Sequence, residues 1–360
     1  MSPRIVTSLL LLTLGGCSAE TPESMLEDYL QRVSNSLDHE IIVQPAPSTL
    51  LLPKKRDRRA AVIDIRTGLL DTLDFSLCEL LPLIAERNSS LGRVMQPSMT
   101  MSYELKFFAR LQPCYLRDQI QPLKDQEFSD LLADTYRIKQ SNLKRIVWNG
   151  IFTSEALERN LSLSADPVLL SGNPGYGDSL RALNLLQHYR NLTTDTHYLD
   201  NPFERPDSLE TIEQHYQALH NSRYGSELFQ SLVLLTRYLN QTAATLEAAM
   251  NRRPICFSNK PTPKAKILKN VFNQYYATRV QPYMSMIQRQ GQPWLSAMNR
   301  LMETSDLPLA VSIDAYRHHM INPDSNDSLW GHYQLAIKRH TKAWQDLLGQ
   351  CGLMPQSSSL

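Results

Sequence analysis

The sequence predicts a mainly α protein, an irregular multi-helix bundle with long connections. Three observations predict it. Apolar residues recur at spacings of three and four through most of the chain, the repeat of one helix face. Glycine is sparse at 13 residues and proline frequent at 21, which suits helices interrupted by proline and not an all-β sandwich. Capping residues stand where the periodic stretches begin, among them Thr21, Asp125, Ser226, Thr262 and Asp327.

The chain opens differently. Arg4 precedes an apolar stretch from Ile5 to Leu14, followed by Gly15-Gly16-Cys17. A secretory signal carries about 7–15 apolar residues, whereas a membrane-spanning helix needs about 20. The small Gly15 and Gly16 suit a peptidase cut, and the Cys17 thiol suits acylation. Residues 1–17 are therefore expected as a lipoprotein signal peptide, with 18–24 a tether, 25–352 a single helical domain and 353–360 a polar tail. Ser18 after the acylated cysteine favours the outer membrane over the inner. The expected location is its periplasmic face, reached through acyl chains.

Removing residues 1–17 removes Arg4 and no acid, leaving 36 basic and 36 acidic side chains. A neutral chain has no global field for nucleic acid, so no such partner is expected. Cys78, Cys114, Cys256 and Cys351 form an even set in an oxidising compartment. Three pairings are open. Cys78 with Cys114 and Cys256 with Cys351 are favoured: the first joins helices adjacent in sequence, and the second locks the C-terminal end onto the chain before Pro263. A thiol nucleophile or metal site would want a CxxC or a neighbouring His, and neither occurs.

Thr21-Pro22 caps a helix whose face carries Leu26, Tyr29, Leu30, Val33 and Leu37. Periodicity then stops. Residues 41–66 hold Pro45, Pro47, Pro53 and the basic run Lys54 to Arg59, and read as extended chain with one short strand pair. Helix returns over Leu69 to Leu73 and Leu77 to Glu86. Pro97-Ser98 opens the next, with Met101, Leu105, Phe108 and Leu111. Another starts near Asp125 and stops at Asn149-Gly150. Asp207-Ser208-Leu209-Glu210 reads as a capping box. Ser226 heads a long helix through Leu228 to Met250, ended by Arg253-Pro254. Thr262-Pro263 starts another, punctuated by Pro282 and Pro293. The last carries Trp330, Tyr333, Ile337, Trp344 and Leu348, with Asp327 as cap.

Further segments occur in order: Gly68-Leu69-Leu70-Asp71, Cys78-Glu79-Leu80, Ala85 to Val94, Tyr103-Glu104, Pro261 to Ala265, Asn270-Val271-Phe272 and Val280 to Tyr283. Together they resemble an uncharacterised family of predicted bacterial lipoproteins, domain of unknown function 3080. The resemblance runs over most of residues 25–351. It implies an envelope location and carries no catalytic residue across.

Glu86-Arg87-Asn88-Ser89 is the polar run where a ligand site is expected first, with Glu86 as an acid or base and Ser89 as a nucleophile. No GxSxG accompanies it, and a helix end with a buried Glu86–Arg87 network is the plainer account. The loop from Gly172 to Ser179 could cradle an anion, but a turn with Asp178 as cap outweighs that. Lys54 to Arg59 could meet anionic lipid head groups or be a solvated loop. The nine histidines are scattered without HExxH, so neither metal nor cofactor is expected. Trp330, Tyr333 and Trp344 could line a groove, but helical spacing favours core. The expected role is a lipid-anchored, non-catalytic binding or structural component of the envelope, partnered by an envelope protein or peptidoglycan. The alternative is a hydrolase acting on peptidoglycan or lipid.

Overall fold

The computed structural model describes residues 20–65, 68–194, 207–257, 259–303 and 307–354, so the expected signal segment and Cys17 lie outside it. Helix α1 (Pro22–Leu37) begins at a capping box: Thr21 Oγ1 accepts from Ser24 N at 3.1 Å, and Ser24 Oγ accepts from Thr21 N at 3.0 Å. It takes in residues 22–24, expected as tether. Its predicted apolar face is buried against α10 (Tyr224–Arg252) and α11 (Pro263–Val271).

The expected strand pair is absent among the described residues. Among the described residues, 41–65 is extended chain with one short helix, α2 (Lys55–Arg58), and the only β feature anywhere is an isolated Phe257–Lys260 bridge. The physical reason lies in the partners of this strap. Its prolines lack the N–H that a ladder needs. Its remaining backbone groups pair with helix side chains instead. Asn142 Oδ1 accepts from Ile63 N at 3.0 Å while its Nδ2 donates to Ile63 O at 2.8 Å. Asn149 treats Ala60 the same way, at 2.8 and 2.9 Å. Thr245 Oγ1 accepts from Ile42 N at 3.0 Å. Side-chain amides thus do the work of a neighbouring strand.

A short α3 (Leu69–Asp74) and a 3₁₀ turn (Phe75–Cys78) lead to α4 (Leu81–Asn88). The long helices α5 (Pro97–Ile120) and α6 (Gln126–Phe152) pack side by side. Asp125 caps α6 by accepting from Phe128 N. The helix runs two residues past the expected stop at Asn149-Gly150 and ends at Phe152. Gly150 is buried, and a Cβ there would collide with Met101 of α5, so this glycine serves close helix packing. A disulfide joins Cys78 to Cys114 with Cα atoms 5.4 Å apart, fixing the 3₁₀ turn against α5.

Helices α7 (Glu155–Leu161), α8 (Tyr176–Thr194) and α9 (Ile212–Ser222) follow. The segment Asp207–Glu210 is a 3₁₀ turn; the side chains of Asp207 and Ser208, on which the expected capping box depends, lie outside the described residues. Helix α10 starts two residues before Ser226, at a left-handed Arg223. Ser226 is buried and accepts from Ala165 N instead of capping.

Helix α11 runs without a break through a π-helical stretch (Phe272–Val280) into α12 (Gln281–Leu301). Pro282 was expected to punctuate it. Proline offers no N–H and crowds the carbonyl four residues back. In the wider turn before it, Gln281 N–H reaches back five residues to Tyr276 O, and the helix continues past Pro282. Helix α13 (Val311–Tyr316) precedes α14 (Leu329–Gln350). Ser328, not Asp327, caps α14, its Oγ accepting from Gly331 N at 3.0 Å. Helices α10 and α14 pack along each other at the centre, and Trp330, Tyr333 and Trp344 are core residues. A second disulfide, Cys256–Cys351, ties the end of α14 to the loop before α11 with Cα atoms 5.1 Å apart.

One polar junction is sealed in this core. Trp344 Nε1 donates to Tyr29 Oη at 2.7 Å, and Tyr29 Oη lies 2.8 Å from His340 Nε2. His340 is fully buried. The junction closes α1 onto α14.

Candidate cationic cleft

Helix α4 ends in a tight polar turn. Ser89 Oγ donates to Glu86 O at 2.7 Å and accepts from Gly92 N at 3.0 Å, while the Arg87 guanidinium donates to Gly92 O. A Cβ on Gly92 would strike the carbonyls of Glu86 and Arg87. The turn aims Arg87 and Asn88 at the groove between α5 and α6, where the strap crosses. The result is a cleft of about 690 Å³.

Two of the four expected site residues, Arg87 and Asn88, line this cleft; Glu86 and Ser89 do not. Glu86 is exposed, so the buried Glu86–Arg87 network is not present. Ser89 spends its hydroxyl on the turn. Among the described residues no His, Ser or Cys lies on the cleft lining.

The lining is rich in charge. Lys139 Nζ of α6 meets Glu104 Oε2 of α5 at 2.7 Å, with both side chains largely buried, and sits 4.5 Å over the Phe107 ring. A buried cation needs such a partner. Beyond this neutral pair, among the described residues, Arg59, Arg87 and Arg93 line the cleft with the Asp64 carboxylate. Among the described residues the side chains of Arg59, Arg93 and Asn88, and the Tyr103 hydroxyl, make no hydrogen bond or ion pair. Burial raises the Tyr103 pKa well above the ordinary phenol value; neighbouring Glu104 adds to the rise and Arg87 opposes it. Tyr103 is therefore a protonated donor at the cleft wall.

Tyr103, Lys139, Arg93, Asn142 and Asn149 were not singled out as site residues from sequence. The signals for three of them were faint. Asn142 and Asn149 stand seven apart, two turns of one helix face. Glu104, the partner of Lys139, interrupts the apolar stripe of Met101, Leu105 and Phe108.

The other sequence candidates fall elsewhere. In the basic run Arg58 is buried, donating to Pro53 O and Phe152 O and pairing with Glu158 at 2.5 Å, while Arg59 reaches the cleft. In the glycine-dense loop Asn173 Nδ2 donates to Ser222 O and Glu227 Oε2, pinning the loop to α10. Helix α8 begins at Tyr176, so Asp178 sits in its first turn, paired with Arg181. Among the described residues no three His, Cys, Asp or Glu gather as metal ligands, and no helix is long and apolar enough to cross a membrane.

No curated protein and no solved structure matches the chain. A family model does, over residues 26–355, and the chain belongs to the family described as protein of unknown function (DUF3080).

Proposed function

We propose that the chain is a lipid-anchored protein of the periplasmic face of the outer membrane whose cleft binds an anionic ligand without transforming it. The observation that carries the binding reading is the set of three guanidiniums on one cleft lining, with a phenol and an amide beside them as spare donors. Arginine presents a planar fork that suits phosphate and carboxylate oxygens. An envelope protein or peptidoglycan would offer such groups. The hydrolase reading has less support. Glu86 is exposed and off the lining, and Glu104 is committed to Lys139.

Placement rests on Cys17. Cys17→Ser should leave an unprocessed precursor or a soluble form in detergent-free fractions, and remove the acylated N-terminal peptide from the mass spectrum. Unaltered distribution and mass would end the anchor.

Anion binding is tested with pyrophosphate on the purified chain. Its addition should raise the thermal midpoint, because a ligand that binds only the folded state stabilises it. The rise should shrink at least tenfold in apparent affinity for Arg59→Gln with Arg93→Gln, and with added salt. Turnover of peptidoglycan or lipid that Glu86→Gln abolishes would reverse the reading in favour of the hydrolase.

A further inference from the structure

We infer that the ligand of this cleft is an anionic amphiphile: an anionic head at the arginines with an alkyl chain in an adjoining pocket. The inference rests on the anion-binding reading and adds its substrate class. A second cavity of about 360 Å³ shares Ile65, Arg87, Asn88, Tyr103 and Lys139 with the cleft. Away from that shared wall it is lined by Phe75, Ile84 and Phe107, with Thr72 and Thr135. Both volumes fall in the range of about 300–1,000 Å³ usual for ligand sites.

The charge along this path is graded. Arg59 and Arg93 belong to the outer cleft alone. At the junction the Lys139 ammonium is cancelled by Glu104 and rests on the Phe107 ring. Beyond it, among the described residues, no further ionisable residue lines the pocket. A bare anion would satisfy the arginines and leave the aromatic pocket to water. A neutral hydrocarbon would fill the pocket and leave the guanidiniums unused. An anion carrying a chain does both.

The pocket is firmly built. Phe75 sits in the turn that the Cys78–Cys114 disulfide clamps to α5, and its ring meets Phe128 edge-on at 6.0 Å. The mouth is apolar as well as cationic. Val62 and Ile63 of the strap line the cleft and are half exposed. Such a rim suits a ligand arriving from a lipid phase.

Binding of butyl phosphate, octyl phosphate, octanoate, 1-octanol and pyrophosphate to the purified chain tests this. Each buried methylene should multiply affinity about fourfold. Octyl phosphate should therefore bind about two orders of magnitude more tightly than butyl phosphate, and 1-octanol far more weakly than either octyl anion. Arg59→Gln with Arg93→Gln should weaken octyl phosphate at least tenfold. Ile84→Trp, placed to fill the partly buried side of the pocket, should flatten the chain-length series. The ratio of octanoate to octyl phosphate tells a fatty carboxylate from a lipid phosphate. Equal affinity for butyl phosphate, octyl phosphate and pyrophosphate, still lost in the arginine variant, would overturn the amphiphile and leave the anion reading standing. Chain-length dependence indifferent to the arginines would also overturn it. No binding by pyrophosphate or octyl phosphate would remove both.

Discussion

Replacing Cys256 and Cys351 together by alanine should cost the fold about 4.7 kcal/mol, by the chain-entropy estimate for a crosslink spanning 95 residues. The same estimate for the 36-residue span of Cys78–Cys114 is about 3.8 kcal/mol, so the order of the two effects is part of the expectation. The surroundings strengthen the contrast. Cys256 and Cys351 bury with Ala265 in a small cluster of their own, apart from the main core, with Ile255 and Leu353 against it. Without the bond, the side-chain hydrogen bonds that tie the end of α14 to this loop are those of Gln350 Oε1, accepting from Ile255 N at 2.8 Å and more weakly from Cys256 N at 3.4 Å. Cys78 and Cys114 instead belong to the main core. Urea unfolding of the two double variants, with hydrogen exchange on the last turn of α14, measures both the order and the local fraying. Equal losses, or an unfrayed α14, would contradict this account.

The helical stripes and both cysteine pairings were legible because each is a local pattern or a count. Leu26, Tyr29, Leu30 and Val33 repeat at helix spacing, and the four cysteines leave only three pairings. The failures share one cause, which is that a long-range contact decides what a local signal means. Gly150 looks like a stop and is a packing notch for Met101. Pro282 looks like a breaker and rides inside a helix behind a π turn. Residues 41–66 look extended, and 41–65 are so apart from α2, but their partners are Asn142, Asn149 and Thr245 on helices far along the chain. The cleft was half legible for the same reason. Arg87 and Asn88 lie in a dense polar run that draws attention, whereas Arg59, Arg93, Tyr103 and Lys139 join them only once the strap crosses α5 and α6.

Lowering the pH from 7 to 5 should cost the wild-type fold about 2 kcal/mol through His340 alone, at about 1.36 kcal/mol for each pH unit below the unfolded pKa. The geometry sets the protonation. Trp344 Nε1 can only donate, so Tyr29 Oη accepts from it and turns its own proton to His340 Nε2. His340 is then neutral with its proton on Nδ1, an atom buried without a hydrogen-bond partner. The rings around it are Tyr29 and Tyr276, with no carboxylate among its ring or hydrogen-bond contacts to hold an imidazolium. Burial therefore depresses the pKa from 6.5 to about 3. The unfolded chain takes up the proton first. The stabilisation is complete above pH 6.5 and is lost as the pH falls from there towards 3, reaching roughly 4–5 kcal/mol in total. His340→Gln keeps an acceptor for the Tyr29 hydroxyl and cannot titrate, so its urea midpoint should move less between pH 7 and pH 5 by that margin. Identical slopes for the two proteins would show that His340 is charged or exposed in the folded state. Because Tyr29 lies on α1 and His340 on α14, this protonation acts where these two helices are joined, and α1 should be the first helix to lose protection from hydrogen exchange in acid.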